Sequence, residues 1–142
     1  MFELKPLSPD SVATALEKAH RYRLLNEPLE AESICRDVLA VAPGHQEALV
    51  TLLLALSDQF DERLFPCFDQ AQEALAAIQD EYSRTYHQGI AFERRAKAHH
   101  KRGGQRSGSV AYGWFRQALE SFERAAEIRP RGNDDAILRW NT

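Results

Sequence analysis

The sequence predicts an all-α protein built from antiparallel helix-turn-helix units. Three observations carry that expectation. Apolar residues recur at intervals of three and four through most of the chain, which is the period of one helix face. One spacing occurs twice, as Ala118-x3-Phe122-x2-Ala125-x4-Pro130 and as Ala31-x3-Cys35-x2-Val38-x4-Pro43, and so marks an internal repeat. Proline and glycine stand between the periodic segments, where the chain has to stop one helix and start another.

The first helix is expected over about Pro9 to Leu25. Ser8 is a natural N-cap, and Pro9 suits the first helical position. Val12, Leu16, Ala19 and Tyr22 form its apolar stripe, and Asn26 and Glu27 break it. The second helix runs from about Pro28 to Val41, with Ala31, Ile34, Cys35, Val38 and Leu39 on one face. Pro43 and Gly44 end it. The third, about Gln46 to Gln59, is nearly all apolar through Ala48, Leu49, Leu52, Leu53 and Leu56. That composition expects burial on more than one side.

The fourth segment is less regular. Asp58 to Phe65 reads as a turn, and Pro66 restarts a helix that reaches about Gln79, carrying Ala71, Leu75 and Ile78. The fifth helix is expected over Ser83 to Arg102, with Ser83 as N-cap and Tyr86, Ile90, Phe92 and Ala96 as its apolar members. Gly103 to Ser109 reads as a flexible loop. Ala96 lies 22 residues before Ala118, against 12 from Ala19 to Ala31, so a ten-residue insertion is expected between the helices of the third unit. The sixth helix, Ala111 to Arg129, is stopped by Pro130. Asn133 caps a short terminal stub, with Ala136, Ile137 and Trp140 facing back onto the preceding unit.

The chain has 142 residues, which fits one domain over 1–142 able to bury a core. Apolar residues are 44% and charged residues 27%, an ordinary balance for a globular protein. No apolar run approaches the roughly 18 residues of a membrane span, and the first residues lack the apolar stretch of a signal peptide. No membrane partner is expected. Cys35 and Cys67 fit no metal or CxxC spacing, and read as small reduced core residues of a cytoplasmic protein.

The net charge of −3 hides an asymmetry. Residues 1–83 hold 6 Lys and Arg against 15 Asp and Glu, whereas 84–106 hold 7 against 1. The basic block is Arg84, Arg94, Arg95, Lys97, Lys101, Arg102 and Arg106. Such a block is commonly a solvated face. It is also what a phosphate backbone would require, although the acidic first half opposes a polyanion. The two halves can equally meet each other, within one molecule or between two.

Catalytic and metal chemistry finds no pattern. The loop Gly103 to Ser109 precedes a helix N-terminus, but no lysine follows Gly108 and no strand precedes the loop, so the phosphate-cradling pattern fails. His99 and His100 are adjacent and point about 100° apart on a helix. No nucleophile-elbow or zinc-protease motif occurs. The expectation is a non-enzyme with no metal, cofactor or catalytic residue.

The repeated spacing resembles the second helix of the tetratricopeptide repeat, A-x3-F-x2-A-x4-P. Ala19 and Tyr22 then fall where that family has a small residue and a tyrosine. Cys35 and Val38 depart from its aromatic and alanine, and no first-helix tryptophan or Leu-Gly pair appears. The resemblance implies a short right-handed α-solenoid of three divergent repeats, over about 9–43, 46–82 and 83–130, with a capping stub over 133–142. It implies a scaffold that binds a protein, as a peptide or helix, in a concave groove lined by the first helix of each pair. The groove residues implied are Glu17, His20 and Leu24, then Val50, Thr51 and Leu54, then Ile90, Arg94, Lys97 and Lys101. An apolar middle and a basic end suit a partner with an apolar anchor and a carboxylate. One subgroup of the family grips chaperone C-termini with Lys, Asn and Arg. Arg94 and Lys97 match its third repeat, but the asparagines of the first two are missing. Alternatives are anion or nucleic-acid binding through 84–106, and self-assembly into a homo-oligomer through the open last repeat.

Overall fold

The structure is a computed structural model that describes residues 2–142. It is all-helical, with no strand among the described residues. A 3₁₀ turn, Pro9–Ser11, leads into α1 (Val12–Leu24), followed by α2 (Pro28–Val41), α3 (Gln46–Ser57), α4 (Phe60–Ala76), α5 (Glu81–Arg102), α6 (Ser107–Ile128) and α7 (Asp135–Asn141). Each helix packs on the next in sequence. α1 also touches α3, and α3 touches α5.

The helix ends follow from local chemistry. At the end of α1, Asn26 adopts a left-handed conformation (φ 59°), which asparagine tolerates better than most residues. Its N–H donates to Arg23 O, and the Glu27 N–H donates to Tyr22 O at 2.8 Å, closing the helix with a Schellman pair. Pro28 then opens α2 where its missing N–H costs nothing. His45 caps α3, its Nδ1 accepting from the Ala48 N–H.

The repeated spacing marks buried positions. Ala31, Cys35 and Val38 of α2 are fully covered, packed near Leu16 and Ala19 of α1. α3 is buried on most sides, through eight of its residues, as its composition predicts. In α6, Ala118, Phe122 and Ala125 are buried in the same way. Phe122 packs with Ile90 and Tyr86 of α5 in a second, smaller cluster.

Several expectations are corrected. Ser8 makes no side-chain cap bond, and the chain passes through the 3₁₀ turn before α1. Tyr22 stays partly exposed rather than in the core. The 58–65 stretch is mostly helical. α4 begins at Phe60, breaks at Arg63 (φ −134°, ψ 51°) and resumes at once, so that Pro66 lies in the first turn after the break, where proline is tolerated. α5 begins at Glu81, and its N-cap is Asp80, whose Oδ2 accepts from the Ser83 N–H at 2.8 Å. Ser83 is therefore inside the helix.

The largest correction concerns the third unit. The expected loop over 103–109 shrinks to 103–106, because α6 starts at Ser107. The extra residues lengthen both helices instead. The chain reverses through Gly103 (φ 70°) and Gly104 (φ 106°), conformations that favour glycine. The small residue of α5 that meets Phe122 is Gly89, about two helical turns before Ala96. A Cβ there would stand 2.6 Å from the Phe122 ring.

α7 packs on α6 with Ala136 buried, while Trp140 remains about half exposed. The N-cap of α7 is Asp134, which makes no side-chain cap bond, and the expected cap Asn133 stands one residue earlier, its Oδ1 accepting from the Asp135 N–H. Among the described residues, no helix is long and apolar enough to cross a membrane.

Candidate functional site

α1 touches α3, and α3 touches α5, and the residues of these three helices that stay open to solvent make up the candidate surface. Glu17 and Leu24 of α1 are exposed on it. His20 is half-buried and meets Glu47 of α3, with Nε2 3.0 Å from Oε1. Val50 and Leu54 are half-buried.

Thr51 and Ile90 do not line this surface. Thr51 is 1% exposed, its hydroxyl donating to Glu47 O at 2.8 Å. Ile90 is 4% exposed, inside the Phe122 cluster. The reason is register. α3 is enclosed on more sides than a two-sided repeat helix, and α5 is fixed by Gly89 rather than by Ala96.

The same register exposes a residue the sequence reading passed over. His87 stands two positions before Gly89, as Glu17 stands two before Ala19. It and Ser83 line a hollow of about 410 Å³ together with Gln46, Glu47, Val50, Ile78, Gln79 and Asp80. His87 Nδ1 lies 2.7 Å from Ser83 O, and burial pushes its pKa down. Aligning Gly89 with Ala19 would have found it. The signal was hidden because Ala96 fits the periodicity equally well.

Most of the basic block is engaged inside the molecule. Asp58, at the end of α3, accepts from Arg23 Nε at 2.8 Å and from Arg94 Nη1 at 3.3 Å. It thereby ties α1, the α3–α4 corner and α5 together. Lys97 pairs with Glu93 at 2.9 Å, and Arg139 of α7 approaches the same carboxylate at 3.7 Å. Lys101 Nζ lies 2.9 Å from Asp61 Oδ2. Arg84 donates to the carbonyls of Ile78 and Gln79, which closes the loop before α5.

Arg95 is held by aromatic faces. Its guanidinium carbon lies 4.0 Å from the Trp114 ring centre and 4.3 Å from that of Phe68, an arrangement favourable for a cation. Burial pushes its pKa down. Arg102 and Arg106, at the tip of the α5–α6 hairpin, are exposed and have no acidic partner among the described residues. The acidic first half and the basic block thus meet within one chain, and Lys97 and Lys101 lie on the extension of α5 rather than above the hollow.

Cys35 and Cys67 are buried free thiols. Burial pushes the Cys35 pKa up to about 12 and raises that of Cys67. No group of three or more His, Cys, Asp and Glu side chains among the described residues is placed to hold a metal ion. No protein-family model, curated protein or solved structure matches the chain.

Proposed function

We propose that the chain is a divergent tetratricopeptide-like solenoid, and that it works as a non-enzymatic scaffold binding a partner protein along the face of α1, α3 and α5. The observation that carries this reading is that α1 touches α3 and α3 touches α5, the contacts that a face common to the three pairs requires. The doubled Ala–Cys/Phe–Val/Ala spacing, buried in α2 and in α6, supports the repeat.

The partner presents an apolar anchor to the hollow beside the half-buried Val50, with Ile78, 2% exposed, behind it. Glu47, Asp80 and His87 at its rim supply polar contacts. An acidic group on the partner would have to displace Glu93 from Lys97 and Asp61 from Lys101, farther along α5. Binding of a polyanion through 84–106 has less support, since among the described residues only Arg102 and Arg106 of that block lack an internal partner.

The test is capture from a native cell lysate with the intact chain and with Val50→Trp, which fills the hollow. A protein retained by the intact chain alone is the expected result. Equal retention by both forms removes the assignment of the groove, and nuclease-sensitive recovery of RNA or DNA replaces the partner class.

A further inference from the structure

α6 carries a second stripe, apart from the one that buries Phe122. At 3.6 residues per turn, Tyr112, Leu119, Glu123 and Ala126 fall within about 60° of one another, and Arg116 borders them. The middle of this face lies about 100° round the helix from that of Ala118, Phe122 and Ala125. α7 lies against its C-terminal end, where Glu123, Ala126, Ile137, Trp140 and Asn141 surround a hollow of about 200 Å³. Toward the start of α6 the stripe is open. Tyr112 is 69% exposed and Leu119 42%, and Phe115 beside them is half-buried. Neighbouring exposed apolar side chains with charges at their rim mark an interaction surface.

The charges of this face are disposed about Leu119. Arg116 stands three residues before it and Glu123 four after it. Glu123 makes no ion pair among the described residues. Arg116 reaches Glu120 of its own helix at 3.4 Å, but both side chains are largely exposed, so that pair holds it weakly. Two copies of α6 laid antiparallel and crossing at Leu119 bring Arg116 of each within one residue's rise of Glu123 of the other. A parallel alignment would set like charges opposite. Tyr112 stands seven residues before Leu119 and Ala126 seven after it. The antiparallel crossing therefore puts Tyr112 of each copy level with Ala126 of the other, at the hollow beside Ile137 and Trp140.

We infer that this face of α6 is a homodimer interface, in which a second copy of the chain packs antiparallel about a two-fold axis at Leu119. The face is complementary to itself. Cation meets carboxylate twice, leucine meets leucine on the axis, and each tyrosine enters the hollow beside the other copy's Trp140. A closed two-fold contact requires such self-complementarity. An acidic helix would suit Arg116 and oppose Glu123, and a basic helix the reverse, so neither fits this face as a second copy does. No residue of the groove beside Val50 takes part.

The experiment is sedimentation equilibrium of the full chain over a range of concentrations. A monomer–dimer equilibrium is the expected result. Leu119→Lys sets two ammonium groups against each other on the axis and is expected to weaken the dimer about tenfold or more. Arg116→Glu and Glu123→Arg, each alone, oppose like charges twice and are expected to weaken it about tenfold. The two together restore opposite charges and should return the affinity to within about threefold of the native value. All three positions are exposed, so each variant should melt close to the native chain. Recovery in the double variant separates loss of contact from loss of fold. Four results overturn the inference. They are the mass of a single chain up to about 1 mM, an assembly larger than two chains, dimerisation undiminished by Leu119→Lys, and a double charge variant as weak as either single one.

Discussion

A methyl group on Gly89 would stand 2.6 Å from Phe122 Cε1, well inside contact distance. The ring belongs to a packed cluster with Ile90 and Ala118, so it has little room to retreat. Gly89→Ala should therefore destabilise the chain by about 1–3 kcal/mol through overpacking. The opposing gain in helix propensity is only about 1 kcal/mol. Urea unfolding decides the sign, and a stabilised variant would contradict the close approach. His87 offers a second test at this scale. Its folded pKa lies below the ordinary 6.5, because burial disfavours the charged ring. The unfolded chain then binds a proton that the folded chain refuses. Stability is present above pH 6.5 and falls as the pH drops below it. His87→Gln should flatten that part of the pH–stability curve. Cys35 acts in the opposite range. Its folded pKa of about 12 exceeds the ordinary 9.0, so its contribution is whole below pH 9.0 and declines as the pH rises toward 12.

Elements are set by their ends and by one buried stripe each. α5 shows this most clearly. Asp80 satisfies the Ser83 N–H at its start, and Asp80→Ala should cost about 1 kcal/mol. Its far end is set by Gly103 and Gly104, whose positive φ lets the chain turn back after 22 helical residues. The stripe on α6 carries the larger energy. Phe122→Ala empties a site 2% exposed and should cost about 3–5 kcal/mol, read by thermal or urea unfolding. Ser107 to Tyr112 were read as loop or as helix start because glycine and serine dominate there. They are helical because the extension of α5 offers a surface to pack on, with Ala111 buried and Trp114 on Phe68, Phe92 and Arg95. Tertiary contact overrides weak propensity in such a case.

Across the whole molecule, Asp58 is the point where α1, the α3–α4 corner and α5 meet. Its side chain is 16% exposed and accepts from two arginines. Removing it leaves Arg23 and Arg94 side by side without a counter-charge. Asp58→Ala should destabilise by about 1–3 kcal/mol, with partial exposure of both arginines limiting the loss. Asp61→Ala, which breaks only the exposed pair with Lys101, should cost less than about 1 kcal/mol. Equal effects in unfolding experiments would show that Asp58 is no hub. The same contact changes how the groove must be probed. Reversing Arg94 would put two carboxylates together and loosen α5 from the α3–α4 corner, so weakened partner binding by that variant would report on fold as much as on recognition. Val50→Trp avoids this confusion.

Helix content, the order of the helices, the bounds of α2 and the burial of its repeated stripe were determined by the sequence alone, because period, caps and proline act within a few residues. The charge asymmetry was legible too, but not its use. Whether Arg94 and Lys97 are free to bind a partner depends on where Asp58 and Glu93 fall in space. The register of α5 was likewise undecidable from the chain, since Gly89 and Ala96 lie on nearly the same face and either satisfies the period. Packing against Phe122 chose Gly89. That choice buried Ile90, brought His87 to the hollow and moved Lys97 and Lys101 onto the extension. Local signals fix what a segment becomes. Contacts between distant segments decide which of its residues are left for a partner, because burial is a property of the neighbours and not of the residue.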